Sequence, residues 1–279
     1  MRSLSAFGYA RGVGRFPAVA LGLLLAGCAA PHGGRAVSFG LPHAGYLHRG
    51  VGLPERGPGF VRGRPGEDTR FGLPHLVHAL ERAAASVKEA FPGSPPLRIG
   101  DLSAPLGGQH DRHHSHRAGR DADLAFFFTD ARGRPIEDHG TVAFDRFGVG
   151  REDGKPEVVF FDVARNWHLV RTLVLDDEAR VQWIFCSHGV KTRLLRYAAR
   201  HERDPDALFR ATRVLHQPTS GRPHSDHFHV RVLCGGEQRA LGCIDHGPRW
   251  SWLRDGDERV ATPAETLSDA FLVDALLED

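Results

Sequence analysis

Apolar residues recur at three- and four-residue intervals from Leu73 through Val77, Leu80, Ala84 and Val87 to Phe91, with charged residues between them. That period predicts an amphipathic helix over Phe71–Phe91, stopped by the run Pro92-Gly93-Ser94-Pro95-Pro96. Leu97–Gly100 begins a short strand, and a Gly- and His-rich loop follows from Gly107 to Gly119. Asp121–Phe128 is β-like, and its Leu124–Phe128 part is continuously apolar, as in a buried strand. Ala164–Val174 reads as a helix and Arg180–Phe185 as a second buried strand. Val190–Arg200 and Pro205–Leu215 are amphipathic helices, with Asp204 placed to cap the one that Pro205 begins. His227–Leu233 alternates, with His227, His229 and Arg231 on one face and Phe228, Val230 and Val232 on the other. Leu267–Leu277 predicts a C-terminal helix, and no internal repeat occurs. Ala29–Arg70 is rich in Gly and Pro and by composition alone reads as a tether or a loop-rich segment. The mixture predicts an α+β domain, with helices packed on an antiparallel sheet.

Composition narrows the class. The 279 residues are 41% hydrophobic and 25% charged, ordinary for a globular chain with a sizeable core. With 36 basic and 34 acidic side chains the formal net charge is +2, which argues against a nucleic-acid partner. The N-terminus changes the picture more. Arg2, Arg11 and Arg15 precede a short apolar run, Phe16–Leu25, too short to span a bilayer but suited to an export signal. The run ends in Leu25-Ala26-Gly27-Cys28, which looks like a bacterial lipoprotein signal with Cys28 as the lipidated residue. A plain signal peptide with an incidental cysteine is the alternative. The expected organisation is a signal over residues 1–27, a short tether over 28–36 and one domain over 37–279. The mature protein would then lie in the periplasm, held to a membrane through the Cys28 anchor alone. Cys234 and Cys243 are close in sequence, which in an oxidising compartment reads as a local disulfide, two free thiols being the alternative. Cys186 follows a strand-like run and reads as a buried core thiol.

The candidate chemistry lies in two stretches, His113-His114-Ser115-His116-Arg117-Ala118-Gly119-Arg120-Asp121-Ala122-Asp123 and His224-Ser225-Asp226-His227-Phe228-His229. A catalytic zinc takes three nitrogen or oxygen ligands from protein and leaves a fourth position for water. Adjacent strands carrying Asp123 and the His227-x-His229 pair, with His116 on the loop before, bring such a set to one point. A His-rich tract that binds metal adventitiously is the bland alternative.

His116, six residues, Asp123 and a later His227-x-His229 resemble the metallopeptidase group of lysostaphin, the D-Ala-D-Ala peptidases and the hedgehog signalling domain. The finer pattern, His113-x-x-His116-x-x-Gly119-x-Asp121-x-Asp123 with His224-x-x-His227-x-His229-Val230-Arg231, is similar to the penicillin-insensitive murein endopeptidases. Phe71-Gly72-Leu73-Pro74, Ile99-Gly100-Asp101 and Gly107-Gly108 extend the likeness to roughly Val37–Asp245. The resemblance implies that His116, Asp123 and His229 hold Zn²⁺, that His227 is the catalytic histidine, and that His113 and His224 are further active-site histidines. It also implies a Cys234–Cys243 disulfide and a glycine-rich segment before Phe71 that folds onto the domain. The substrate it implies is peptidoglycan, cut at the D-alanyl–meso-diaminopimelyl cross-link. A D-Ala-D-Ala carboxypeptidase or related amidase, and a non-catalytic zinc domain, are the rival readings. Arg117, Arg120 and Arg231 are candidates to orient stem-peptide carboxylates, against a purely structural role for each.

Overall fold

The computed structural model describes residues 35–253 apart from 138–141, 152–153 and 220. The export signal, Cys28 and the helix expected at Leu267–Leu277 lie outside the described residues. None of the described helices is long and apolar enough to cross a membrane.

Among the described residues the main sheet has seven strands, in the spatial order Leu215–His216, Val181–Phe185, His227–Val232, Asp121–Ala125, Leu97–Ile99, Phe60–Arg62 and Arg56–Gly57. Two of its pairings are parallel, Leu215–His216 with Val181–Phe185 and Phe60–Arg62 with Leu97–Ile99, and the four others are antiparallel. The central pair is the His227–Val232 strand, here called the histidine strand, and the Asp121–Ala125 strand, here called the acidic strand. Their register sets His229 opposite Asp123 and Arg231 opposite Asp121. Because side chains alternate, the same register puts Phe228 opposite Leu124 and Val230 opposite Ala122 on the reverse face. Those four are fully buried at 0% exposure and join the core cluster with Ile99 and Ile184. Burial of each large side chain there contributes about 1.5–3 kcal/mol. One face of the sheet is therefore core, and the other is left to chemistry.

Four helices complete the core: α1 (Pro74–Ala90), α2 (Val163–Leu175), α3 (His188–His201) and α4 (Pro205–Val214). Val77, Leu80, Ala84 and Val87 are buried as the period of α1 predicts, and Leu76, Ala79 and Ala83 widen the buried stripe. The helix begins at Pro74 and not at Phe71. Phe71–Gly72 pairs instead with Val51–Gly52 as a two-residue ladder, and Leu73, which precedes a proline, is extended. Asp204 caps α4 by accepting from the Asp206 amide at 2.9 Å, with Pro205 in the first turn. The acidic strand ends at Ala125, three residues before the apolar run does. The Phe127 amide donates to Asn166 Oδ1 at 3.0 Å, and Phe128–Thr129 moves to a second, four-stranded sheet.

The glycine-rich N-terminal segment is folded and is not a tether from Val37 onward. Val37–Leu41 and Ala44–His48 form a hairpin. It is bonded to the loop before the acidic strand (Leu47 N to Leu106 O, 3.0 Å) and to the C-terminal side (Gly40 N to Gly242 O, 2.8 Å). Gly40 has φ +69°, and a Cβ there would lie 2.5 Å from the Ala44 carbonyl oxygen, so the composition reports a tight turn. The last two residues of the expected tether are also held. Arg35 pairs with Glu237, and Gln238 donates to the Ala36 carbonyl at 2.7 Å from the short helix α5 (Gly236–Ala240).

Cys234 and Cys243 are disulfide-bonded across this junction, and Cys186 is a buried free thiol whose burial pushes it up to about 12. Closing a loop with a sequence separation of 9 stabilises by about 2–3 kcal/mol in the chain-entropy account. Replacing both cysteines by serine is expected to lower the calorimetric melting temperature by roughly 5–10 °C. An unchanged melting temperature would show that the junction, and not the bond, holds these segments.

Candidate metal centre and active site

The loop that precedes the acidic strand is wound so that His116 turns inward. His116 has φ 64°, a left-handed conformation that costs a non-glycine residue about 1–3 kcal/mol. Its amide donates to Asp121 Oδ2 at 3.2 Å and its Nδ1 donates to the Leu102 carbonyl at 2.9 Å. A carbonyl only accepts, so Nδ1 carries a proton and Nε2 is the atom that faces Asp123 Oδ1 at 3.2 Å. Burial would lower the ring, but Asp123 and Asp121 outweigh it and raise it, favouring positive charge at this point. On the histidine strand the same logic applies to His229. Its Nε2 donates to Asp121 Oδ1 at 2.9 Å, which leaves Nδ1 bare and 3.6 Å from Asp123 Oδ1. Asp121 thus fixes the tautomer of one histidine and the backbone of the other, while it also accepts from Arg231 Nε at 2.6 Å.

Two more histidines reach the same carboxylate. His227 Nε2 is 3.4 Å from Asp123 Oδ1, and its Nδ1 is held by Asp226 Oδ1 at 2.8 Å. His113 Nε2 lies 3.4 Å from Asp123 Oδ2 and 3.1 Å from Asp101 Oδ2. Burial separates the four. His116 and His229 have side-chain exposures of 0% and 7%, whereas His113 and His227 keep 24% and 23% at the mouth of the site. His224 closes the group, its ring centroid 5.0 Å from that of His227 and 5.4 Å from that of His229. It too is left-handed, with φ 53°, and its carbonyl accepts from the Ser187 amide at 3.0 Å.

The electrostatics fit a cation. His116 Nε2 and Asp123 Oδ1 are both buried and have no hydrogen-bond partner. Two lone pairs that face each other inside a protein repel unless a proton or a metal ion lies between them. Burial alone would raise Asp123, but His116 and His227 outweigh it and hold the carboxyl well below its usual range. Burial pushes His229 down to about 3, so it is a neutral nitrogen donor at pH 7. His116, Asp123 and His113 bring one donor atom each within 4.8 Å of one another, and so do His224, His227 and His229. A divalent ion that takes nitrogen and oxygen ligands suits such groups.

The family model for penicillin-insensitive murein endopeptidases matches residues 38–249. The chain belongs to this family. No curated protein matches the chain closely enough to add to that assignment. As a murein endopeptidase family member it is a peptidase, and its substrate is peptidoglycan.

Within this murein endopeptidase the geometry brings together all six histidine and aspartate residues expected from the sequence. It also brings in residues the motifs did not single out for chemistry. Asp101 is buried, accepts from Thr69 Oγ1 at 2.6 Å and Arg112 Nε at 3.0 Å, and braces His113. Burial would raise its carboxyl, but His113, Arg112 and Thr69 prevail and keep it ionised. Asp226 braces His227 in the same way. Two of the three arginines considered for substrate are structural. Arg120 is fully buried on Asp245 and the carbonyls of Gly40 and Ile244, and Arg231 is held by Asp121. Asp226 stands next to the ring it braces, but Asp101 lies twelve residues before His113, and sequence spacing does not reveal that contact.

Carboxylates that orient ligand histidines are each worth about 10–100-fold in metal affinity. Asp121→Asn is therefore expected to weaken metal binding by that factor in a competition titration with a chromogenic chelator, while the metal-free fold survives. An unchanged affinity would mean that His229 is held by packing alone.

Proposed function

We propose that the chain is a zinc-dependent endopeptidase that hydrolyses the D-alanyl–meso-diaminopimelyl cross-links of peptidoglycan. One observation carries the reading. His116 Nε2 and His229 Nδ1 are left bare by bonds to Leu102 and Asp121, and both point at Asp123 Oδ1, at 3.2 and 3.6 Å. Tetrahedral zinc bonds of ~2.0–2.2 Å separate neighbouring donor atoms by about 3.3–3.6 Å, which supports His116, Asp123 and His229 as the ligand set. Zn²⁺ in a three-ligand site supplies a water acidified to a pKa of about 7 and a Lewis acid for the scissile carbonyl.

The chain's own residues do the rest. His227, at the open side of Asp123 and held by Asp226, takes the proton of the attacking water and returns one to the leaving amine. His113, beside His116, and His224, beside His227, donate to the oxyanion as it forms. Burial, with His227 nearby, pushes His224 down to about 4, so it acts as a neutral donor and not as a cation. Hydrolysis by this route needs no serine nucleophile, so penicillin does not inhibit it.

Mass spectrometry of purified dimeric muropeptides tests the proposal. The zinc-loaded protein is expected to convert dimers to monomers with penicillin present. Release of terminal D-Ala from intact dimers would replace this reading with a carboxypeptidase. We place the mature protein in the periplasm, anchored by lipid on Cys28, on the strength of the Leu25–Cys28 sequence. Intact-mass measurement of the native protein checks that assignment, since an unmodified thiol or cleavage elsewhere removes it.

A further inference from the structure

A cavity of about 310 Å³ opens beside the metal cluster, lined by the run Gln109–His114 and by Arg117. His113 lines it and also reaches Asp123 Oδ2 at 3.4 Å, so cavity and cluster share a wall. Two groups in this cavity lack partners. Arg117 Nε is buried without a hydrogen bond, and the guanidinium pairs with no carboxylate among the described residues. His110 is only 8% exposed, and its Nδ1 accepts from the Arg112 amide at 3.3 Å, which puts its proton on Nε2. That Nε2 is buried and unpartnered as well.

Nearby arginines are committed elsewhere. Arg112 is bonded to Asp101 and Glu67, Arg120 to Asp245 and Arg231 to Asp121. Arg117 is also fixed at its base. Its amide donates to the Pro42 carbonyl at 3.1 Å and its carbonyl accepts from the Gly108 amide at 2.8 Å. The Gly107-Gly108 turn allows that approach, since a Cβ on Gly107 would lie 2.2 Å from the Arg117 oxygen. A positioned guanidinium without an acid and a buried N–H without an acceptor together await an anion. The planar fork of arginine matches the two oxygens of a carboxylate. A second metal is disfavoured here. Asp101, His110 and His113 do approach within 4.8 Å, but Arg112 already covers both Asp101 oxygens at 3.0 Å.

We propose that this cavity binds a free carboxylate of the substrate peptide, with Arg117 as the ion-pairing fork and His110 Nε2–H as a second donor. The proposal rests on the reading of the chain as a stem-peptide hydrolase and names what that site recognises beside the scissile bond. Arg117 is thus a specificity residue, and it takes no part in metal binding or proton transfer.

The test uses zinc-loaded full-length protein and a cross-linked muropeptide dimer, either with free carboxylates or with those carboxylates amidated. Wild type is expected to lose roughly 10–100-fold in kcat/KM on amidation, through KM, as for a bond to a charged group. Arg117→Gln should raise KM for the acid by a similar factor and abolish the preference. Its zinc content and melting temperature should be unchanged and its kcat altered by less than about threefold. Arg117→Lys, which keeps the charge but not the fork, should recover part of the preference. Full discrimination in Arg117→Gln, or a fall in kcat in place of the rise in KM, would overturn the proposal. If wild type cuts neither dimer, the endopeptidase reading fails by itself. Calorimetric binding of the two peptides then decides. Preference for the acid in wild type and its loss in Arg117→Gln sustain the proposal, and equal binding of acid and amide sinks it.

Discussion

His116→Ala is expected to purify without zinc and to lose at least roughly 10³-fold in kcat/KM. The side chain is fully buried, its Nδ1 is tied to Leu102, and its Nε2 faces an unpartnered oxygen of Asp123. The neighbouring His113 is engaged by Asp101 and is not expected to replace it. Metal catalysis supplies several kcal/mol of transition-state stabilisation, and each 1.4 kcal/mol is a factor of ten. A companion variant separates the ligand from the backbone. Glycine accepts φ 64° without strain, so His116→Gly should lose zinc equally while being more stable than the alanine variant by about 1 kcal/mol. Plasma mass spectrometry of the purified proteins measures the first effect and chemical denaturation the second. Stoichiometric zinc in either variant would strike His116 from the ligand set.

The second large effect is expected at His227. His227→Ala should keep zinc yet lose about 10²–10⁴-fold in kcat, the usual contribution of a positioned acid–base group. His227 sits two residues from His229 on the same face, but at the partly exposed mouth, with Nδ1 committed to Asp226. Burial would discharge it, but the nearby carboxylates of Asp123 and Asp226 outweigh that and push it up to about 10. Positive charge held against Asp123 works the other way, back toward the neutral form that accepts a proton. A rate that rises with pH as His227 loses its proton, and a flat profile in the alanine variant, would mark the group as the base. If His227→Ala lost its zinc in step with its activity, His227 would be a ligand and not an acid–base group.

Much of this was legible in the chain itself. The alternation across His227–Val232 dictated that the histidines share one face and that Phe228, Val230 and Val232 share the other, because a strand has period two whatever surrounds it. The three-and-four spacing of α1 likewise fixed its buried stripe. The H-x-x-H-x-x-G-x-D-x-D pattern marked the site because metal chemistry restricts the residue types that can serve. Where elements end was less legible. Helix α1 starts late and the acidic strand stops early because partners distant in sequence, Val51–Gly52 and Asn166, compete for the same backbone groups.

What composition could not disclose was decided by tertiary contact. By composition the Gly- and Pro-rich stretch 29–70 looks like a tether, but from Val37 the hairpin finds the Gly107-Gly108 turn and the disulfide-linked segment, with Gly40 serving its tight turn. The roles of the arginines were undetermined for the same reason. A guanidinium is structural or free according to whether a carboxylate reaches it, and Asp245, Asp121 and Asp101 arrive from separate parts of the chain. The local sequence around His116, Asp123 and His229 supplied residue types that suit a metal. Only the packing of the acidic strand against the histidine strand, with Asp121 and Leu102 holding the far ring nitrogens, brought those atoms to one point, because hydrogen bonds between remote residues set ring tautomers and local sequence does not.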